Sequence, residues 1–199
     1  MKKVFLFATA LLAMNAMRAQ TTTHFGIKAG VNLAKLKIDN STDSKQRVGF
    51  HAGGLAHIHL DPHFALQPEL LFSTQGRQQT IGGVEYKANL SYINLPILLQ
   101  YMVANGFRLE TGPQFGLLVS ANSSTNGSER DVKDTYKSTD VSWAFGAGYL
   151  TSSGIGFDAR YNLGLSNIND ISEATVKNRV WQFGLFYQFM HSDGMHHKK

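Results

Sequence analysis

Arg179-Val180-Trp181-Gln182-Phe183-Gly184-Leu185-Phe186-Tyr187-Gln188-Phe189 is the stretch that decides the fold. Trp181, Phe183, Leu185, Tyr187 and Phe189 share one parity, and Gln182, Gly184, Phe186 and Gln188 the other. A period of two places the two sets on opposite faces of a β-strand. The preceding run repeats the theme. Ile155, Phe157, Ala159, Tyr161, Leu163 and Leu165 face one way; Gly156, Asp158, Arg160, Asn162, Gly164 and Ser166 face the other.

Working back along the chain, the same alternation marks eight strands. They span about His24–Ile38, Arg47–Leu60, Phe64–Gln75, Tyr86–Met102, Phe107–Ala121, Val141–Ser152, Gly154–Asn167 and Arg179–Phe189. Their connections alternate in length. Asp61-Pro62-His63, Val103 to Gly106 and the Ser153 region are tight turns rich in turn formers. Asp39–Gln46, Gln78–Glu85, Ala121–Asp140 and Ile168–Asn178 are longer and polar, and Asn122–Ser128 has the composition of a mobile loop. Short periplasmic turns and long external loops are the habit of outer-membrane barrels. The expected fold is therefore all-β: an eight-stranded antiparallel up-and-down transmembrane β-barrel over residues 20–189.

The flanks fit export. Lys2 and Lys3 precede the apolar run Val4–Ala13, and Ala19 before Gln20 is the expected cleavage point, which makes residues 1–19 a signal peptide. Its removal takes away Lys2, Lys3 and Arg18 and lowers the net charge from +5 to +2, so the high pI is no argument for nucleic-acid binding. No apolar run is long enough for a transmembrane helix. The absence of cysteine excludes disulfides and thiolate metal sites. Residues 190–199, with His191, His196, His197, Lys198 and Lys199, read as a flexible basic tail.

Lipid cannot hydrogen-bond a backbone, so the sheet must close, and eight strands enclose a lumen that side chains fill. The apolar parity then faces lipid. The inward parity carries Lys28, Glu69, Arg108, Glu110, Asp158 and Arg160, three charges of each sign near the periplasmic end. We expect a neutral network there with a structural role, because paired charges tolerate burial and unpaired ones do not. Aromatics form the expected girdles. Phe25, Phe64, Tyr101, Phe107, Tyr149, Phe157, Tyr187 and Phe189 fall near one rim, and Trp143 and Trp181 near the other. Pro68, Pro96 and Pro113 lie inside strands that have no edge to spare, and local bulges or shifted strand ends are expected there.

Four segments resemble a known family. Phe64-Ala65-Leu66-Gln67-Pro68-Glu69-Leu70-Leu71-Phe72-Ser73 is followed by Gly76; the others are Tyr92-Ile93-Asn94-Leu95-Pro96-Ile97-Leu98-Leu99-Gln100-Tyr101, Gly112-Pro113-Gln114-Phe115-Gly116 and Arg160-Tyr161-Asn162-Leu163-Gly164-Leu165. Together they resemble the PorT-like outer-membrane β-barrel family of Gram-negative bacteria across the mature chain. The resemblance implies an outer-membrane location and makes the three strand prolines a family trait, but implies little biochemistry. One departure is at the end, where Phe189 is followed by ten further residues rather than closing the chain.

Little in the sequence carries chemistry. His51, His57 and His59 share the inward face of the second strand, with His63 in the next turn; His57 and His59 are spaced to reach one metal, but no acidic partner accompanies them. No G-x-S-x-G elbow and no phosphate-cradling glycine loop occurs. Asn40-Ser41-Thr42 and Asn122-Ser123-Ser124 match a glycosylation pattern that a bacterial setting makes irrelevant. We expect no enzyme, no cofactor, no metal and no nucleic-acid partner. The expected function is that of a monomeric barrel with a filled polar lumen, in contact with outer-membrane lipid, either structural or binding an extracellular or periplasmic protein through its extracellular loops. A narrow solute channel and a lipid-active enzyme are the alternatives. A soluble lipocalin-like carrier would need the opposite facing.

Overall fold

The computed structural model describes residues 22–38, 45–81, 84–125, 128–171 and 174–189. The export signal, Asn40-Ser41-Thr42 and the basic tail lie outside them. Nine strands follow one another: β1 Thr23–Ile38, β2 Arg47–His59, β3 Phe64–Ile81, β4 Val84–Met102, β5 Phe107–Thr125, β6 Ser128–Asp131, β7 Thr139–Leu150, β8 Ile155–Gly164 and β9 Val176–Gln188. Every pairing is antiparallel. The order β4-β3-β2-β1-β9-β8-β7-β5 closes through a β4–β5 pairing, so eight strands form a ring in which the first strand pairs with the last. β6 stands outside the ring count as a short addition to the upper end of β5. Among the described residues no helix is long and apolar enough to cross a membrane, which says nothing of a crossing by strands.

The alternation decides the facing. Along β9, Trp181, Phe183, Leu185 and Tyr187 are exposed while Gln182, Gly184, Phe186 and Gln188 are buried. Leu185 is 66 % exposed and its neighbour Phe157 on β8 is 56 % exposed, whereas Arg160 is 0 % exposed. This is the inverse of a water-soluble protein and excludes the carrier reading. Outward-facing rings, exposed or half-buried, meet at one rim in the pairs Phe64–Tyr101 (5.2 Å), Tyr149–Phe157 (5.8 Å) and Tyr187–Phe189 (5.5 Å). Higher on the wall Trp181 packs on Tyr161 (4.9 Å), and Trp143 Nε1 donates to Thr111 Oγ1 (2.8 Å).

The short turns lie where the sequence puts them. In the first, the backbone N–H groups of His63 and Phe64 donate to Asp61 Oδ1 at 2.7 and 2.8 Å and hold its carboxyl below the usual range. In the second, Asn105 takes the left-handed φ of 70°.

Three expectations need correction. Residues 78–81 and 84–85 belong to strands rather than to a loop: β3 and β4 pair up to Ile81 and Val84. The described residues of the polar segment 121–140 are not all loop either. β5 continues to Thr125, β6 folds back on it, and a single 3-10 turn at Lys133–Thr135 leads into β7. The extra pairing is polar because it stands in water above the bilayer, where neither face needs apolar residues. The strand prolines make no bulge. Pairing stops beside each and resumes in the same register: between Leu55↔Glu69 and Ile58↔Leu66 at Pro68, between Pro68↔Ile97 and Leu71↔Asn94 at Pro96, and between Pro96↔Gln114 and Leu99↔Thr111 at Pro113. Each missing N–H falls in a gap of the ladder. The register shift recorded in these pairings lies elsewhere, between Ser91 and Tyr92.

Candidate functional site

The lumen is layered. At the mouth ringed by the short turns the ring of His59 meets those of His57 (4.6 Å) and His24 (5.6 Å) edge-on. His57 Nδ1 is turned to Gln67 Oε1 at 3.2 Å. Among the described residues no group of three or more His, Cys, Asp or Glu is placed to hold a metal ion. His63 stays outside and stacks on Tyr101 at 6.2 Å.

Above the histidines lies the ionic layer, and all six charged residues singled out from the sequence reach it. Arg160 on β8 is its hub. Its Nη1 and Nη2 each donate to a Glu69 oxygen at 2.9 Å, and its Nε donates to Glu110 Oε1 at 2.8 Å. Lys28 pairs with Asp158 and stands 3.7 Å from Glu69. Gln67 donates to Glu69, and Gln100 to Glu110, each at 2.9 Å. Arg108 joins through Gln100 Oε1 at 3.4 Å, with its guanidinium 5.6 Å from the centre of the Phe186 ring. That contact explains an aromatic on the inner face. Phe186 lies across Gly156, where an added Cβ would fall 2.2 Å from the ring.

A neutral polar layer follows. Asn32 is its centre: Nδ2 donates to Phe50 O, Ser73 Oγ and Thr74 O, and Oδ1 accepts from His51 Nδ1 (2.8 Å) and Gln182 Nε2 (3.0 Å). Asn162 donates to Gln182 Oε1 at 2.7 Å. Higher still, Asn178 Nδ2 and Ser166 Oγ donate to the two oxygens of Asp140.

The outer third of the lumen departs from the expected polar filling. Leu36, Leu90, Tyr92, Leu118, Ala121 and Val176 form an apolar cluster, and Ile168 from the β8–β9 connection is inserted into it, fully buried. Val132 and Tyr136 from the β5–β7 connection pack on its upper side. The two connections are latched by Lys137 N–H to Ile168 O (2.8 Å) and Asp170 N–H to Thr135 O (3.1 Å). The alternation test missed this plug because Ile168 sits in a polar segment with no period. An Ile→Ala truncation in a packed core costs about 2–5 kcal/mol. Ile168→Ala should therefore speed amide exchange at Lys137 and Asp170 without disturbing the strand ladder; unchanged exchange there would remove the plug from the account.

Over the plug lies an open recess of about 250 Å³, lined in part by Arg77, Tyr86, Lys87, Val132 and Tyr136. Burial pushes the Tyr136 phenol up, against the opposing influence of Arg77, so it stays neutral.

A closed antiparallel ring with apolar walls outside and ion pairs inside defines an integral membrane β-barrel. The sequence matches the family described as outer membrane protein beta-barrel domain over residues 18–170, and the chain belongs to that family. Among solved structures it is similar to Neisserial surface protein A (NspA), with a TM-score of 0.60 and 15 % identity, covering 83 % of this chain and 97 % of that one. It is also similar to Ail, the attachment invasion locus protein of Yersinia pestis, with a TM-score of 0.50 and 17 % identity, covering 84 % and 99 %. At such identity these likenesses describe the fold. No curated relative matches the sequence. The family places the chain in the outer membrane.

Proposed function

We propose that the protein is a non-conducting, non-enzymatic outer-membrane barrel that works by binding at its external end. The observation that carries this reading is the seal: Ile168 buried in the apolar cluster, with two connections latched above it. A lumen packed in this way serves as a frame. We assign Lys28, Glu69, Arg108, Glu110, Asp158 and Arg160 the structural role of holding that frame, since five of them are ion-paired with one another and Arg108 is tied in through Gln100 and Phe186. The latched connections present a fixed surface, and the recess offers cationic and aromatic side chains to a partner. We further read the chain as PorT-like within its family, as a monomer, and as exported with loss of residues 1–19.

Two measurements test this. Planar bilayers containing the refolded protein should show no discrete conductance steps; regular steps would favour the channel reading. A photo-crosslinking residue at Tyr136 should give an adduct with a surface partner in intact cells, and the same residue at Phe157 should label lipid only. Equal labelling at both sites would dissociate the recess from binding.

A further inference from the structure

Four cations stand together on the outer wall of the barrel. Lys35 and Lys37 on β1 pair in register with Arg179 and Lys177 on β9. All four share the parity of Trp181 and Leu33, and so project from the outside of the ring. Residues directly opposite on an antiparallel pair have Cβ atoms about 5 Å apart, and the next same-face residue is about 7 Å along the strand. Four positive charges thus fall in a patch that one phosphate group can span. Like charges directly opposite each other destabilise a sheet. Among the described residues none of the four has an ion pair, and their outward neighbours Val48, Tyr161 and Leu163 are uncharged.

The arrangement is also shaped. Lys35, Leu36, Lys37, Tyr161 and Arg179 line a shallow recess of about 270 Å³. Arg179 Nη1 donates to Tyr161 Oη at 3.1 Å, which holds the guanidinium along the wall. The height selects the occupant. Trp181 lies two residues below Arg179 on the same face and packs on Tyr161, so the patch begins where the aromatic girdle ends. Girdles mark the level of the lipid headgroups. Cations just above that level are attracted to anionic headgroups.

We propose that Lys35, Lys37, Lys177 and Arg179 form a binding site for the phosphate of a lipid headgroup in the external leaflet of the outer membrane. The site lies on the wall, apart from the mouth recess, and does not depend on what the mouth binds. Four neutralised charges at a membrane surface predict a large loss of affinity.

The test uses the full-length barrel in zwitterionic micelles, with native mass spectrometry of bound lipid. The probes are lipid A, an acylated glucosamine disaccharide bearing phosphates, and the same molecule with its phosphates removed. The wild type should hold the phosphorylated probe at least about tenfold more tightly than the dephosphorylated one. The variant Lys35→Gln/Lys37→Gln/Lys177→Gln/Arg179→Gln should lose that preference and bind both alike. Lys133→Gln/Lys137→Gln, which removes cations from the external connection, should behave as wild type. The variant should also refold as well as the wild type in neutral lipid, because a repulsion has been removed. A quadruple variant that keeps the preference, or a wild type that never shows one, overturns the proposal. Displacement of the lipid by excess inorganic phosphate overturns its lipid source and leaves an anion site only.

Discussion

Replacing Arg160 with methionine is expected to destabilise the barrel by about 3–5 kcal/mol, the cost of removing one partner from a buried ion pair. Arg160 is fully buried and gives three charge-assisted hydrogen bonds, two to Glu69 and one to Glu110. Without it both carboxylates face a packed, water-poor lumen. Lys28, 3.7 Å from Glu69, relieves one of them only in part. The loss is a loss of pairing rather than of volume, and this makes a second variant informative. Arg108→Gln/Glu69→Gln/Glu110→Gln/Arg160→Met removes two charges of each sign, leaves the Lys28–Asp158 pair, and should recover most of the stability, since a buried ion pair contributes little net against neutral side chains of similar size. Urea unfolding in lipid vesicles measures both. A single variant within about 1 kcal/mol of wild type would mean that the network is solvated. A quadruple variant no better than the single one would mean that shape, not charge, is what the hub supplies.

The second large effect lies on the opposite face. Leu185→Arg is expected to cost about 2–4 kcal/mol, the range for a cation on the lipid side of a barrel near the bilayer midplane. Leu185 is 66 % exposed, pairs with Ala29 and Phe157, and lies on β9 between Trp181 and Tyr187. Leu165→Arg is the matched control. Leu165 is also outward-facing but lies just past the external end of β8, where the penalty should fall to about 0–1 kcal/mol. Equal penalties in refolding titrations would break the depth dependence that lipid imposes.

The barrel was legible because its physics is periodic. Lipid outside and ion pairs inside write alternation into β8 and β9, and the six charged residues of the lumen announce themselves by falling, each in its own strand, on the face opposite the apolar residues. Gln100, Gln67 and Asn32 escaped notice for the converse reason. A polar residue at an inward position is unremarkable in sequence, and only the cross-lumen geometry distinguishes the hub of the neutral layer, Asn32, from its neighbours. Gln182 shows the same limit. The inward parity of a barrel suggests that it tolerates a cation. Yet its amide bridges Asn32 and Asn162 at 1 % exposure, so an arginine there has neither room nor partners. The outer end was the least legible. Above the bilayer the sheet continues without an apolar face, and Ile168 acquires its role from the two connections that meet over it.

The position of the aromatic wall relative to lipid is the point on which everything else depends. Trp143 and Trp181 are the chain's two tryptophans, so its fluorescence reports that wall directly. With the protein refolded in vesicles, lipids brominated near the headgroup should quench the emission strongly, lipids brominated deep in the acyl chain less so, and aqueous acrylamide weakly. Strong acrylamide quenching with no response to brominated lipid would place the tryptophans in water or in a closed cavity, and would contradict the facing of every strand described above.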